Sequence, residues 1–302
     1  MAEDTAGDPM SGRRWTRKST YTISEELRAE NISISPKTAG KLLKNLNYSL
    51  KTNRKTIAET HNPARNQQFG IIADMKMRFT DLAQPVVSVD SKKKELIGNF
   101  KNNGKTWNKK AQEVLCHDFR SMATGIANPY GIYDLTANCG TVVVGTSYDT
   151  PEFAAESIEL WLTSSGWAQY PHMDELLILC DAGGSNSYRA RLWKYVLCNK
   201  ICRPYGISIT VCHYPPGASK WNPADHRLFS FISMNWSGVP LRSYDIMLNY
   251  IRNTTTRQGL KVDAILNEKE YAKGLNISKA QMKTINLKRQ RQLPDWNYTI
   301  SP

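Results

Sequence analysis

The stretch LLILCDAGGSNSYRARLWKYVLCNKICRPYGISITVC, Leu176 to Cys212, decides the fold. LLILC is a short, wholly apolar run bounded by polar residues, the pattern of a strand buried on both faces. It delivers Asp181, passes through a Gly-rich loop, continues as the helical segment YRARLWKYVLCN and reaches a second strand, ISITVC. Strand, helix, strand in this order predicts βα alternation and helices laid on a sheet. Asp181-Ala-Gly-Gly-Ser lacks the GxGxxG spacing that lets a helix start hold a pyrophosphate, so the loop does not read as a dinucleotide site.

Upstream the pattern differs. QPVVSVD gives a strand from Val86 to Val89 with Asp90 at its end, and strand signals recur at YGIYDLT (Tyr130 to Thr136) and TVVVGTS (Thr141 to Ser147). FKNNGKTW offers a hairpin-like turn at Asn103-Gly104. A helix after Pro151 runs through Phe153, Ile158, Trp161 and Leu162. Three neighbouring strands followed by βα alternation predict an α/β fold, a mixed sheet flanked by helices. Trp161, Trp193 and the Phe229/Phe231 pair read as core.

The second strand runs through HYPPGASK into KWNPADHRLFSFI, Lys220 to Ile232. Asn222 followed by Pro223 is a good helix opening, because Asn caps free backbone amides and Pro presets φ. At helical spacing Asp225 shares a face with Leu228, Phe229 and Ile232. Capping explains an acid there on its own terms. Asp90 and Asp181, each ending a strand, supply a second reason, because strand ends at one edge of a sheet are where α/β folds collect ligands. Three converged carboxylates cannot all stay ionised without a cation, and hard oxygen donors suit Mg²⁺ or Mn²⁺. Two such ions about 3.5–4 Å apart serve in-line phosphoryl transfer. Each acid also has a plainer reading, as a strand terminator, a turn residue or a cap.

Before the sheet, residues 1–18 are polar and basic and read as a disordered arm. Residues 19–56 carry a helix-turn-helix pattern. Ile23 and Leu27 mark a first helix, NISIS a break, and Ser35-Pro36 opens a second with Ala39, Leu42, Leu43 and Leu46 on one face. The second helix presents Lys37, Thr38, Lys41 and Lys44, side chains that reach base edges and phosphates, with KTNRK (Lys51 to Lys55) as a basic flank; two ordinary bundled helices are the alternative. Residues 57–84 hold a connecting helix with Phe69, Ile72, Met75 and Phe79 spaced for burial. Residues 85–256 form the sheet domain, and 257–302 a peripheral C-terminal extension.

The totals agree with a polyanionic partner. Lys plus Arg number 40 against 27 Asp plus Glu, a net charge of +13 in 302 residues. A solvated basic surface is the bland alternative. No segment approaches the ~18 consecutive apolar residues of a membrane helix, so a soluble cytoplasmic protein is expected. The six cysteines lack paired short spacings and read as reduced thiols; Cys198, Cys202, Cys212 and His213 lie in apolar or helical runs rather than in a zinc pattern.

VVSVDSKKKELIGNFKNNGKTW, PYGIYDLTANCGTVVVGTSYDTPEFAAESI, LLILCDAGGSNSYRARLWK, ITVCHYPPGASKWNPADHRLFSFISMNW and DWNYTISP resemble the Rhodopirellula-type DDE transposases of ISAzo-type insertion sequences. RWTRKST and NYSLKTNRKT are similar too, so the resemblance runs from about Pro9 to Pro302. It implies an RNase H-like catalytic domain, two-metal cleavage and strand transfer at element ends, double-stranded DNA (terminal inverted repeats and target) as partner, a bacterial nucleoid-associated location, and a dimer or larger assembly for synapsis. Carried over residue by residue, Asp90, Asp181 and Asp225 match the family's three acids. Asp225 stands where the family more often has Glu, and the chain begins near its last helix-turn-helix, as a truncated copy would.

Around the acids, His213 and His226 are candidate auxiliary groups, with a satisfied structural imidazole as the alternative. Lys220, Trp221 and Arg227 are placed to hold phosphate and stack a base, and Lys92, with Lys93 and Lys94, to line a DNA path; packing and a solvated charge run are the respective alternatives. A catalytically inactive, transposase-derived DNA-binding protein or repressor is the competing function. A generic RNase H-like nuclease is a weaker third.

Overall fold

The computed structural model describes residues 5–7, 14–16, 18–51 and 63–302. The chain divides into two units, Met1–Ala58 and Glu59–Pro302. In the first, β1 (Thr5–Gly7) and β2 (Arg14–Thr16) pair antiparallel within the arm expected to lack structure. Helices α1 (Thr20–Ala29) and α2 (Pro36–Asn45) follow. Ser19 and Ser35 cap them by accepting from the amides of Thr22 and Thr38, both at 3.1 Å, the second as the Ser35-Pro36 opening predicts. Ile23 and Ala39 are buried, whereas Leu42 and Leu46 remain exposed. Most of the basic flank, Thr52 to Lys55, lies outside the described residues.

The second unit opens with α3 (Arg65–Asp81), which buries Ile72 and Phe79. Then come β3 (Val86–Ser91), β4 (Glu95–Ile97), β5 (Gly125–Asp134), β6 (Cys139–Gly145), α4 (Pro151–Trp161), α5 (Trp167–Gln169) and β7 (Glu175–Cys180). After these follow α6 (Arg191–Val196), α7 (Arg203–Tyr205), β8 (Ser208–His213), α8 (Ser230–Asn235), α9 (Tyr244–Arg252), β9 (Lys261–Asn267), α10 (Lys279–Met282), β10 (Asn286–Arg289) and β11 (Asn297–Ser301). Nine of the strands form one mixed sheet in the order β10-β11-β8-β7-β3-β5-β6-β9, with β4 pairing beside β3 on the long strand β5. The centre is an antiparallel meander, β3-β5-β6, onto which β7 and β8 add in parallel with β3. This is the RNase H-like arrangement the resemblance implies.

The apolar runs dictate the layers. Val87, Val89, Ile132, Ile178 and Val211 point to one face, covered by α4 and α6 with Trp161 and Trp193 in the core. On the other face α8 and α9 cover Tyr133, Val142 and Val144, and α3 covers Val86, Leu177 and Leu179. The period-two alternation of side chains is what lets both faces be apolar at once.

Three expectations change. The stretch 257–302 is no peripheral extension: β9 pairs with β6, and β11 pairs with both β8 and β10. Its apolar signal is weak because NYTIS alternates, burying Tyr298 and Ile300 and leaving Thr299 and Ser301 partly open. Asn103-Gly104 makes no hairpin, since the lysine-rich run around it has no apolar face to bury as a strand. Finally, the helices after β6, after β7 and before α8 each contain a wide π-type turn, at Leu162–Gly166, Leu197–Cys202 and Ala224–Phe229.

If β11 is integral, Ile300→Ala should lower the unfolding free energy by about 2–5 kcal/mol. Urea unfolding that shows less than about 0.5 kcal/mol would return the segment to the periphery.

Candidate active site

Strands β3 and β7 run parallel with Val89 opposite Cys180. The next residue on each chain is an acid, so Asp90 and Asp181 stand side by side at one sheet edge. Alternation sends Val87 and Val89 into the core beneath α4 and turns Ser88 and Asp90 to the opposite face. Asp90 and Asp181 border one cleft of about 670 Å³, lined also by Ser185, Tyr188, Arg189 and Pro215. Asp90 accepts the amide of Ser91 at 2.9 Å.

A fully buried side chain, Asn222, organises this edge. Its Nδ2 donates to Asp181 Oδ1 at 3.2 Å and to the Val89 carbonyl at 3.4 Å. Its Oδ1 accepts from the Ser88 hydroxyl at 2.6 Å and from the Ala224 amide at 3.1 Å. The amide thus ties β3, the second acid and the start of the helical turn together. Read from sequence, Asn222 is only a cap; the strand partners that make it a hub are more than a hundred residues away.

Asp225 sits in the wide turn Ala224–Phe229. A π turn holds more residues than an α turn, so Asp225 leaves the apolar stripe: its side chain is 52% exposed, while Leu228, Phe229 and Ile232 are buried. The shared face predicted from 3.6-residue spacing is therefore corrected. The turn lies close on the sheet because Gly131 and Gly140 leave room for it. A Cβ at Gly131 would meet Phe229 Cζ at 2.6 Å, and one at Gly140 would meet Leu228 Cδ1 at 2.4 Å.

The acids feel one another. Burial first, then Asp181, and more weakly Asp225 and Asp149, push the Asp90 carboxyl up to about 7, against the Ser91 amide, which lowers it. Burial also raises Asp181; the Asn222 hydrogen bond opposes this and Asp225 adds to it. Asp149 is a fourth carboxylate that the sequence did not single out. Its Oδ1 is buried with no hydrogen-bond partner among the described residues, and nothing in SYDTP distinguishes it from a residue that merely precedes a helix.

Behind the acids, His213 is fully buried. Burial holds its imidazole down to about 4, so it is neutral at physiological pH. Its Nδ1 meets the Asp181 carbonyl at 3.1 Å and its Nε2 the Tyr298 hydroxyl at 3.0 Å. A carbonyl only accepts, so Nδ1 carries the proton and Nε2 accepts from Tyr298. This is the satisfied structural imidazole rather than an exposed proton carrier. His226 is exposed, 3.9 Å from Asp225.

The flanking cations divide. Lys92 is engaged with Glu95 and lies 4.9 Å from the Trp236 ring centre. Lys220 lies 5.2 Å from the ring centre of Trp221, an exposed indole packed edge-on against Phe69, and Arg227 is exposed. Lys37, Thr38, Lys41 and Lys44 are exposed on α2, within the first unit. Cys198, Cys202 and Cys212 are buried free thiols.

A family profile described as Rhodopirellula transposase DDE domain matches residues 1–302, the whole chain. The chain belongs to this transposase DDE domain family. Nothing among curated proteins matches this DDE-domain chain. Solved structures similar to it include a Mos1 transposase paired-end complex with the left transposon end, at TM-score 0.43 and 12% identity, covering 78% of this chain and 65% of that one. A pre-cleavage Mos1 transpososome (TM-score 0.45, 12% identity, 81% and 73% covered) and a mariner Mos1 paired end complex with Mg (TM-score 0.45, 14% identity, 82% and 73% covered) are also similar. The DDE-domain chain thus spans 65% of the length of the first of these. No helix among the described residues is long and apolar enough to cross a membrane.

Among the described residues of the DDE-domain chain, no three His, Cys, Asp or Glu side chains are grouped to hold one metal ion. Asp90 and Asp181 nevertheless fit a hard dication. Mg²⁺ keeps several waters and is commonly held by one or two carboxylates plus substrate phosphate, without an all-protein cage.

In chelator, the folded state keeps a proton on Asp90 up to about pH 7, whereas an unfolded carboxyl releases it near 3.8. The folded state then binds the extra proton, so this group's penalty is absent below about pH 4 and grows as pH rises through 7. Asp90→Asn should therefore raise stability at pH 8 by on the order of 2–4 kcal/mol and leave it little changed at pH 4. Equal urea midpoints at pH 8 would contradict the buried-acid reading. Asn222→Ala, which strands the Ser88 hydroxyl and removes Asp181's donor, should cost about 1–3 kcal/mol in the same assay.

Proposed function

We propose that this chain is a DNA transposase that cleaves strands at the ends of an insertion sequence and joins them to target DNA. Asp90, Asp181 and Asp225 are its acidic triad, and Mg²⁺ or Mn²⁺, as two ions, its cofactor. The observation that carries the reading is the pair Asp90 and Asp181, adjacent through the strand register and facing one cleft. Bound divalent ions would supply charge neutralisation, activation of a water or 3′-hydroxyl, and stabilisation of the leaving oxygen.

The chain's own residues do the rest. Asn222 fixes the direction of Asp181, leaving its other oxygen for a ligand. Asp225, exposed on a turn that Gly131 and Gly140 seat against the sheet, supplies the third carboxylate. Lys220 and Arg227 hold a flanking phosphate and Trp221 stacks on a base. Lys37, Thr38, Lys41 and Lys44 engage the terminal repeat in its major groove. Synapsis of two ends calls for at least a dimer.

One observation favours the second reading, an inactive DNA-binding relative. Asp225 is not grouped with the other two acids in a three-ligand site, and its side chain is one methylene shorter than Glu. The two readings separate on labelled element-end DNA with Mg²⁺ or Mn²⁺. Active protein nicks the ends and joins them, and Asp90→Asn, Asp181→Asn and Asp225→Asn each lower the rate on the order of 10³-fold, several kcal/mol of barrier, with DNA affinity retained. Wild-type cleavage by all three variants would refute the triad. Salt-sensitive binding with no cleavage in either metal would select the inactive relative.

A further inference from the structure

The segment between β4 and β5 is long and irregular, and its first half is strongly basic. Residues 98–112 contain Lys101, Lys105, Lys109 and Lys110 and no acid; Glu113 and Asp118 come only afterwards. None of these four lysines has an ion-pair partner among the described residues. Trp107, in their midst, is fully exposed. Isolated apolar residues on a surface are ordinary, but a wholly solvated indole among unpaired lysines is the composition of a surface that stacks bases and neutralises phosphates.

The loop is also built rather than loose. Asn102 Nδ2 donates to the carbonyls of Trp236 at 3.2 Å and Val239 at 3.3 Å, and the Gly238 amide donates to the Asn103 carbonyl at 2.9 Å. Arg242 donates to the side chains of Asn99 and Gln112. Gly104, at φ +117°, passes so close to Ser237 that a Cβ would fall 1.7 Å from its hydroxyl oxygen. The result is a groove of about 520 Å³ lined by Lys101, Lys105 and Lys110 on one side and Gly238 and Pro240 on the other. Trp236, one of its anchors, is the ring under Lys92, two residues from Asp90. The groove therefore belongs to the same side of the sheet domain as the acids.

We propose that this groove is a second DNA-contact surface, which takes the phosphodiester backbone of a strand leaving the cleft while Trp107 stacks on an unpaired base. The proposal rests on the transposase reading for the identity of the polyanion, and its readout is binding rather than cleavage. The probe is a fluorescein-labelled duplex with a single-stranded overhang, titrated with full-length protein in an Asp90→Asn background that does not cut. Replacing Lys101, Lys105 and Lys110 together by Ala should weaken binding at least tenfold at moderate salt and flatten the dependence of log Kd on log salt by about two to three. Trp107→Ala should weaken binding of the overhang duplex about 5- to 100-fold and leave a blunt duplex nearly unaffected.

Thermal melts of each variant, matching the parent, establish that the fold is intact. Parental affinity and salt slope in both variants would overturn the proposal. So would a change in sedimentation of the free protein with unchanged DNA affinity, which would assign the surface to a second copy of the chain. Loss of the catalytic reading alone, with no cleavage by the unmutated chain, leaves these binding outcomes standing.

Discussion

Two carboxylates set at matching positions on adjacent parallel strands repel each other, and the surrounding structure keeps them there. A one-residue slip between β3 and β7 would relieve the repulsion, but it would turn every apolar side chain of the strand to the wrong face. Burial of Val87, Val89, Ile178 and Cys180 therefore outweighs the electrostatic cost at the strand ends. Help from cations is limited: Lys92, the nearest in sequence, is engaged by Glu95 and the Trp236 ring. What remains is one neutral donor on each acid, the Ser91 amide on Asp90 and Asn222 on Asp181. Stability given up in this way at a cleft is a familiar mark of a functional site.

The same edge explains how the helical turn with the third acid is positioned. Leu228 and Phe229 rest on strand backbone at Gly140 and Gly131, where any larger residue would collide with them. The turn is thereby fixed by contact with β5 and β6, and its wide geometry carries Asp225 off the buried stripe toward solvent. A regular helix with 3.6-residue spacing would instead set Asp225 on the face shared by Leu228, Phe229 and Ile232.

Much of this was legible beforehand, and the reason is local. LLILC and VVSV are buried on both faces, so composition alone marks them. Ser35 precedes its helix in the expected way and makes the expected cap. Asp90 and Asp181 were visible because each follows such a run. The illegible parts depend on distant partners. NYTIS is an unremarkable pentapeptide until it lies beside β8, and the roles of Asn222, Gly131 and Gly140 exist only once β3, β5 and β6 are in place. Asn103-Gly104 carries a turn dipeptide, but its backbone follows anchors at Trp236 and Gly238 instead.

Strand β11 follows every other strand of the sheet in the chain, yet its Tyr298 hydroxyl holds the imidazole that backs the Asp181 carbonyl. On a ribosome adding about 5–20 residues per second, that strand is made on the order of ten seconds after Asp181. A nascent chain thus carries both acids before it carries the element that seats one of them. Order of synthesis becomes a timer, under which the cleft is assembled only after nearly all of the sheet domain has been translated.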